Sequence, residues 1–301
     1  MLTVPFVTIG PDTTGEELLA AASVLHDAGV DGVGFLDAAD LGAAVSAVDS
    51  CTMATLAALA LPGLAVIGSQ SAVFGYPYQT ARRLATLDHL SGGHSGWLLR
   101  ATSTGPEGTG HEWRSAGVVE HELARAGEHA EIGYRLWDSW EDGAQWPDKE
   151  SGNFKDDSRI HPIDYRSDAF QVDGPLDVPP SPQRRPVVIA FVRTPTEVAA
   201  LAPWLDVAVV DTGPETIAEL VAAVRADGRV PRVIVATREP HPTSAALEGL
   251  VDDVDADGVA PVTSPAAAGD VAASVSPSGS AGATFAARLG LGTLPVGGRT
   301  A

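Results

Sequence analysis

Residues 85–97 read ATLDHLSGGHSGW, and the order of signals within them decides the fold. A helical pattern begun upstream at Tyr76 carries Leu84 and Leu87 and stops at Gly92 and Gly93. Glycine closes helices because it accepts a left-handed backbone. The run that follows, SGWLLRAT (95–102), is apolar and of strand length. Adjacent Asp88 and His89 sit at this junction and admit two readings. They are a general acid/base couple, or a helix end tied down before a strand begins.

The same alternation extends in both directions. Strand-length apolar runs occur at VPFVTIG (4–10), GVGFLD (32–37) and LAVIGSQ (64–70), then at VVIAFV (187–192), DVAVVD (206–211), RVIVAT (232–237) and DGVAPV (257–262). Helical patterns separate them at 15–29, 51–61, 118–140, 195–205, 214–227 and 243–254, and GATFAARLGL (282–291) closes the chain. Eight buried strands, each followed by a helix or helix-like stretch, predict an α/β fold closed as a TIM (β/α)8 barrel. An open doubly wound sheet competes with it, but no G-x-G-x-x-G turn follows the first strand. In a barrel the turn after Asp88 falls on the N-terminal face, opposite the chemistry. Asp88 is therefore expected to fasten the turn or a neighbouring helix.

Periodicity is lost between Glu141 and Pro186, a polar, Pro-rich excursion between the fourth helix and the fifth strand. Two short strands are predicted within it near Tyr165 to Val172. One barrel domain over 1–301, with 141–186 as an irregular insertion, is the expected organisation. A segment this long usually serves function or an interface. Its acids and histidine (Asp142, Asp148, Glu150, Asp156, Asp157, His161, Asp164, Asp168) follow no EF-hand spacing, so a solvated acidic loop is expected.

Composition narrows the function classes. The 301 residues are 45% hydrophobic, and 19 Lys+Arg against 39 Asp+Glu give a net charge of −20. That balance argues against a nucleic-acid binder and against an anionic membrane surface. There is no basic start followed by an apolar stretch, and no run of about 18 apolar residues. A soluble cytoplasmic protein is expected. The lone Cys51 excludes an internal disulfide framework, and its apolar helical setting predicts an inert thiol. The eight histidines show no H-E-x-x-H pairing and no metal is expected. Neither a G-x-S-x-G elbow nor a P-loop is present.

Four stretches carry a resemblance: YPYQTARRLATLDHLSGGHSGW (76–97), RLWDSWEDGA (135–144), HPIDYRSDAFQVDGPLDVPPSPQRRPVVI (161–189) and GATFAARLGL (282–291). Together they resemble the bacterial-luciferase-like flavin-dependent monooxygenases, in the branch of nitrilotriacetate, EDTA and dibenzothiophene sulfone monooxygenases. The motifs run in family order from about residue 30 to residue 291, in a chain shorter than is usual in that branch. The resemblance implies a TIM-type barrel that binds reduced FMN at the C-terminal ends of its strands and activates oxygen on it. It also implies a separate flavin reductase and a small organic substrate; a homo-oligomer is expected. The isoalloxazine carries that chemistry while the protein orients it, holds its phosphate and excludes water.

Carried over residue by residue, the flavin site is altered. Asp37 stands where the family has an acid after the second strand. Ser71 is the one hydroxyl left of a Ser-Thr-Thr run, with Ala72 and Val73 after it. Gly96-Trp97-Leu98 replaces Gly-Trp-Asn, and Arg100 shares a strand face with Leu98, to pair with Asp37 or to bind an anion. Val119 and Leu123 occupy the positions of a His and a Tyr that help hold the phosphate, with Glu120 and His121 on other faces. Val192-Arg193-Thr194 replaces the Gly-Ser-Ser phosphate loop, leaving Arg193 as a point charge with a fork of donors. Asp37, Ser71, Arg100, Arg193 and Thr194 are thus the candidate cofactor contacts, and no catalytic residue stands out. Each lost contact is worth about 1–3 kcal/mol, so a catalytically silent relative, acting as a subunit or ligand-binding protein, is the alternative. His111, Glu112, Trp113 and Arg114 fall in the fourth βα loop, as ligand contacts or as an ordinary loop. Trp137 and Trp140, three apart, are expected to be a packing stripe.

Overall fold

Runs such as VVIAFV and VAVV are apolar on both faces, which suits strands covered by helices on one side and by a barrel interior on the other. The computed structural model describes residues 1–37, 46–73, 75–101, 119–145, 147–239, 241–275, 277, 282, 284–291 and 294, with backbone alone at 119 and 120. In chain order the elements are β1 (Leu2–Thr3), β2 (Phe6–Ile9), α1 (Gly15–Asp27), β3 (Val33–Asp37), α2 (Ser50–Ala60), β4 (Val66–Ser71), α3 (Pro77–Leu90), β5 (Ser95–Arg100) and α4 (Val119–Trp137). They continue as β6 (Tyr165–Arg166), β7 (Gln171–Val172), β8 (Val187–Val192), α5 (Pro195–Leu201), β9 (Val207–Val210), α6 (Ile217–Asp227), β10 (Arg232–Thr237), α7 (Ser244–Val254), β11 (Gly258–Thr263), α8 (Ala268–Ser274) and α9 (Phe285–Arg288).

Strands β2, β3, β4, β5, β8, β9, β10 and β11 pair in that order, all parallel. β11 returns to β2, with Val262 opposite Phe6, and closes the expected eight-stranded barrel. β1 runs beside β11 as a short extension. Strand alternation divides the core in two. Trp97, Leu99, Val188 and Val210 face the helix layer. Phe6, Leu36, Ile67, Leu98, Ile189, Val209 and Ile234 fill the barrel interior. Gly34 lacks a side chain for a reason: a Cβ there would lie 2.2 Å from the Phe6 ring.

The base of the barrel is sealed by the end of the chain. Phe285 of α9 is fully buried in the interior cluster. Its ring lies 3.0 Å from where a Cβ would stand on Gly32, and 3.2 Å from the equivalent point on Gly96. The Phe285 N–H donates to the Gly93 carbonyl at 2.9 Å. Asp88, at the end of α3, belongs to this same floor. Its carboxylate accepts the Ser95 hydroxyl at 2.7 Å and the Gln183 side-chain amide at 2.5 Å. Burial pushes the Asp88 carboxyl up, while these donors work against that shift. His89 lies outside, with Nε2 2.9 Å from the Pro179 carbonyl. The helix-end reading of residues 85–97 is the one the structure adopts.

The excursion leaves α4 and returns to β8 at the N-terminal end of the barrel. Trp140 Nε1 donates to Leu176 O at 2.7 Å, and the Leu176 N–H donates to Ser139 Oγ at 3.0 Å, pinning its two limbs together. Between them β6 and β7 form an antiparallel hairpin. Phe170, beside it, packs edge-on against His129 of α4 and under the Arg125 guanidinium. The expected helix over 195–205 stops at Leu201 because Pro203 cannot continue it, and a 3-10 turn takes over at Ala202–Trp204. The helical pattern at 282–291 yields only Phe285–Arg288.

Candidate functional site

Extending the strand alternation one residue past the core brings a ring of polar side chains to the C-terminal mouth. Ser71 follows Ile67 and Ser69 on the inward face of β4, and Arg100 follows Leu98 on that of β5. The two are direct register partners. Arg193 and Asp211 follow Phe191 and Val209, and Arg238 follows Ile234 and Ala236. Beneath them the Phe6 and Phe191 rings pack tilted by 59°, centroids 5.1 Å apart, and close the bottom of the mouth. Arg193 lies over the Phe191 ring, 5.6 Å from its centroid.

Asp211 organises one side of this ring. Its Oδ2 accepts Arg193 Nε at 3.0 Å and Arg238 Nη2 at 3.0 Å, and its Oδ1 accepts Arg238 Nη1. Burial opposes ionisation of Asp211, but the Arg238 hydrogen bond and the two guanidiniums hold its carboxyl below the usual carboxylate range. The same hydrogen bond raises the Arg238 guanidinium. Asp211 and Arg238 escaped the sequence reading. The available signal was a charged residue at or just past the end of an apolar strand run.

The other predicted residues are placed as follows. Thr194 is the N-cap of α5, its hydroxyl accepting the Glu197 N–H at 3.2 Å. Glu197 in turn accepts the backbone N–H groups of Arg193 and Thr194, at 2.6 and 3.0 Å. Ser71 Oγ accepts the Val73 N–H at 3.2 Å. Asp37 follows Phe35 on the helix-facing side of β3, so strand alternation puts it across the barrel wall from Arg100. The charge of Asp37 contributes to raising the Cys51 thiol, which burial first and Asp49 second push to about 12. Leu123 is buried in the helix-layer core and offers no polar atom. His111, Glu112, Trp113 and Arg114 lie outside the described residues, as does the side chain of Val119.

Trp137 and Trp140 are buried, Trp137 edge-on to Trp97 at 6.2 Å. Within the excursion Asp148 and Asp156 accept hydrogen bonds from nearby backbone and serine hydroxyls, while Asp142 pairs with Arg184. Among the described residues no three His, Cys, Asp or Glu side chains are grouped to hold a metal ion, and no helix is long and apolar enough to cross a membrane.

No family model matches the chain. The architecture is that of the luciferase-like TIM-barrel monooxygenases. EDTA monooxygenase from Chelativorans sp. BNC1 superimposes with a TM-score of 0.77 at 18% identity, over 99% of this chain and 100% of that one. The chain's homologues are monooxygenases of this luciferase-like class. It is 38% identical over 128 residues to N-acetyl-S-(2-succino)cysteine monooxygenase of Bacillus subtilis (strain 168), across 42% of this chain and 29% of that protein. It is 30% identical over 181 residues to one of the pristinamycin IIA synthase subunits of Streptomyces pristinaespiralis, across 60% of this chain and 59% of that protein. The matched stretches thus span less than two thirds of these relatives' own length.

Proposed function

We propose that the chain is a monooxygenase of the luciferase-like class, using reduced FMN from a separate flavin reductase to oxygenate a small organic substrate in the cytoplasm. In this reading residues 1–301 form one luciferase-like barrel domain with 141–186 inserted. The observation that carries it is the inward-facing ring of Ser71, Arg100, Arg193, Asp211 and Arg238 at the C-terminal mouth of a closed barrel, where such folds place their sites. The donor set suits a phosphate-bearing cofactor, because planar guanidiniums match the spacing of phosphate oxygens. Arg193 and Thr194 would hold the phosphate end of FMN, and Ser71 and Arg100 the polar groups of the ring, while Asp37, on the helix-facing side of β3, stays outside the contact set. When bound, the reduced isoalloxazine supplies the oxygen chemistry. This chain's residues bind it, orient it and keep water away. A homo-oligomer completes the reading, with exposed Leu56 and Leu59 of α2 and Leu90 of α3 as apolar surface for it to bury.

One observation favours the second reading, a silent subunit or binding protein. Glu197 engages the amides of Arg193 and Thr194, and Leu123 has no polar group to offer. One relative is named as a subunit of a synthase. Titration of the protein with FMN and with reduced FMN, followed by flavin fluorescence, separates the two. Saturable binding supports the monooxygenase. Its absence at about 100 µM, far weaker than a micromolar site, leaves the subunit, whose partner light scattering and pull-down then seek.

A further inference from the structure

Two observations at the strand ends point to how this barrel takes an anion. At the turn that opens α5, the N–H groups of Arg193 and Thr194 both donate to the chain's own Glu197 carboxylate, at 2.6 and 3.0 Å. An incoming anion finds those amides already engaged. On the adjoining strands, the side chains of Arg193 and Arg238 each place a nitrogen within 3.0 Å of the same Asp211 oxygen. The Asp211 side chain is only 5% exposed, whereas those of Arg193 and Arg238 are 40% and 49% exposed.

The buried carboxylate neutralises one of the two positive charges and fixes the orientation of both forks. It is too deep to be displaced from the mouth. Each guanidinium carries five N–H donors, and Asp211 engages only one edge of each. The other donors lie on side chains that are 40% and 49% exposed, and the three residues together keep one unit of positive charge, which the Glu197 carboxylate at the Arg193 N–H partly offsets.

We propose that Arg193, Asp211 and Arg238 form an arginine clamp that is the oxyanion site of this barrel, doing with side chains what an amide-lined turn would otherwise do. Arg193 and Arg238 contact the ligand, and Asp211 is their positioning residue. The ligand group is a phosphate or a carboxylate, carried by the flavin or by the substrate. The proposal rests on the flavin reading only for which of these molecules brings it.

The test is calorimetric titration of the full chain with inorganic phosphate, succinate, FMN and riboflavin. Wild type is compared with Arg238→Gln, with Arg238→Lys, which keeps the charge but not the fork, and with Arg229→Gln, whose arginine pairs with Asp227 at the other end of the barrel. Circular dichroism confirms that each variant is folded. Arg238→Gln is expected to weaken binding of the accepted oxyanion by about 10- to 100-fold. Arg238→Lys should fall between it and wild type, and Arg229→Gln should change nothing. If the flavin brings the anion, wild type prefers FMN to riboflavin and Arg238→Gln erases that preference while leaving riboflavin affinity in place. If the substrate brings it, succinate affinity falls and the ratio of FMN to riboflavin affinity is unchanged. Loss of phosphate or succinate binding in a protein that takes up no flavin sinks the flavin reading and leaves the clamp standing. The clamp itself is overturned if Arg238→Gln binds phosphate, succinate and FMN like wild type, or if wild type binds none of them.

Discussion

Asp88 and Gln183 meet at 2.5 Å in the floor of the barrel, although 95 positions separate them. The Gln183 amide also donates to the Ser95 carbonyl at 2.7 Å, and its carbonyl oxygen accepts the Ala286 N–H at 3.2 Å. One side chain from the excursion thus joins the end of α3, the start of β5 and the closing helix α9. Replacing Asp88 by Ala leaves the Ser95 hydroxyl buried without its acceptor and takes from the Gln183 amide one of its two. The expected cost is about 1–3 kcal/mol for the stranded hydroxyl. Urea unfolding measures it, and Asp88→Asn should recover part of the loss.

A second buried cluster lies at the start of β8. Arg185 Nη1 and Nη2 donate to Asp206 at 2.6 and 3.0 Å, both side chains are almost wholly buried, and the guanidinium lies 4.3 Å from the centroid of the Tyr134 ring. Breaking one partner of such a pair strands the other charge, so Asp206→Ala should destabilise by about 3–5 kcal/mol. The double replacement Arg185→Met with Asp206→Leu removes both charges and should cost less than either single change. A double-mutant cycle by chemical denaturation checks this ordering.

Packing at the barrel axis is equally specific. A Cβ on Gly34 would lie 2.2 Å from Phe6, so Gly34→Ala should destabilise by about 1–3 kcal/mol through overpacking. Pairing it with Phe6→Leu, which frees the space above β3, should relieve part of the cost. Thermal melts of the two single variants and the double variant decide it.

His129 predicts a dependence on pH. It is fully buried between Trp97 and Phe170. Neither ring nitrogen has a hydrogen-bond partner of ordinary geometry among the described residues. Burial, and then the Arg125 charge, push its pKa down to about 3. The unfolded chain therefore binds a proton more readily than the folded one between about pH 6.5 and 3. Stability is lost as pH falls through that window, by up to about 1.4 kcal/mol per pH unit from this residue. His129→Phe should flatten that slope in urea denaturation at pH 4, 5 and 6, relative to wild type.

The barrel was legible in the sequence because its strands are apolar on both faces and its helices are separately periodic. VVIAFV and RVIVAT form β8 and β10 over the residues their apolar runs mark out. The role of Asp88 followed from its place on the N-terminal face. Its partner Gln183 did not, since it comes from a stretch without periodicity. The mouth was half legible. Arg100 could be phased onto the face of Leu98 from its strand alone, whereas Ser71 and Arg193 were marked by the family resemblance. Asp211 and Arg238 were not singled out, because an acid after a strand is as often a helix cap, and contacts between strand ends leave no trace in spacing. The engagement of the Arg193 and Thr194 amides by Glu197 is a capping box, T-x-x-E from Thr194. Its consequence for an anion shows only when the turn is seen at the strand ends.

The proposed function turns on reduced FMN binding at the C-terminal mouth of this barrel. Hydrogen exchange measured by mass spectrometry, with and without reduced FMN under anaerobic conditions, tests it most directly. Slowed exchange is expected at the ends of β4, β5, β8, β9 and β10, around Ser71, Arg100, Arg193, Asp211 and Arg238, with the floor around Asp88 and Gln183 unchanged. Unchanged exchange at every one of those strand ends at a saturating flavin concentration would contradict it.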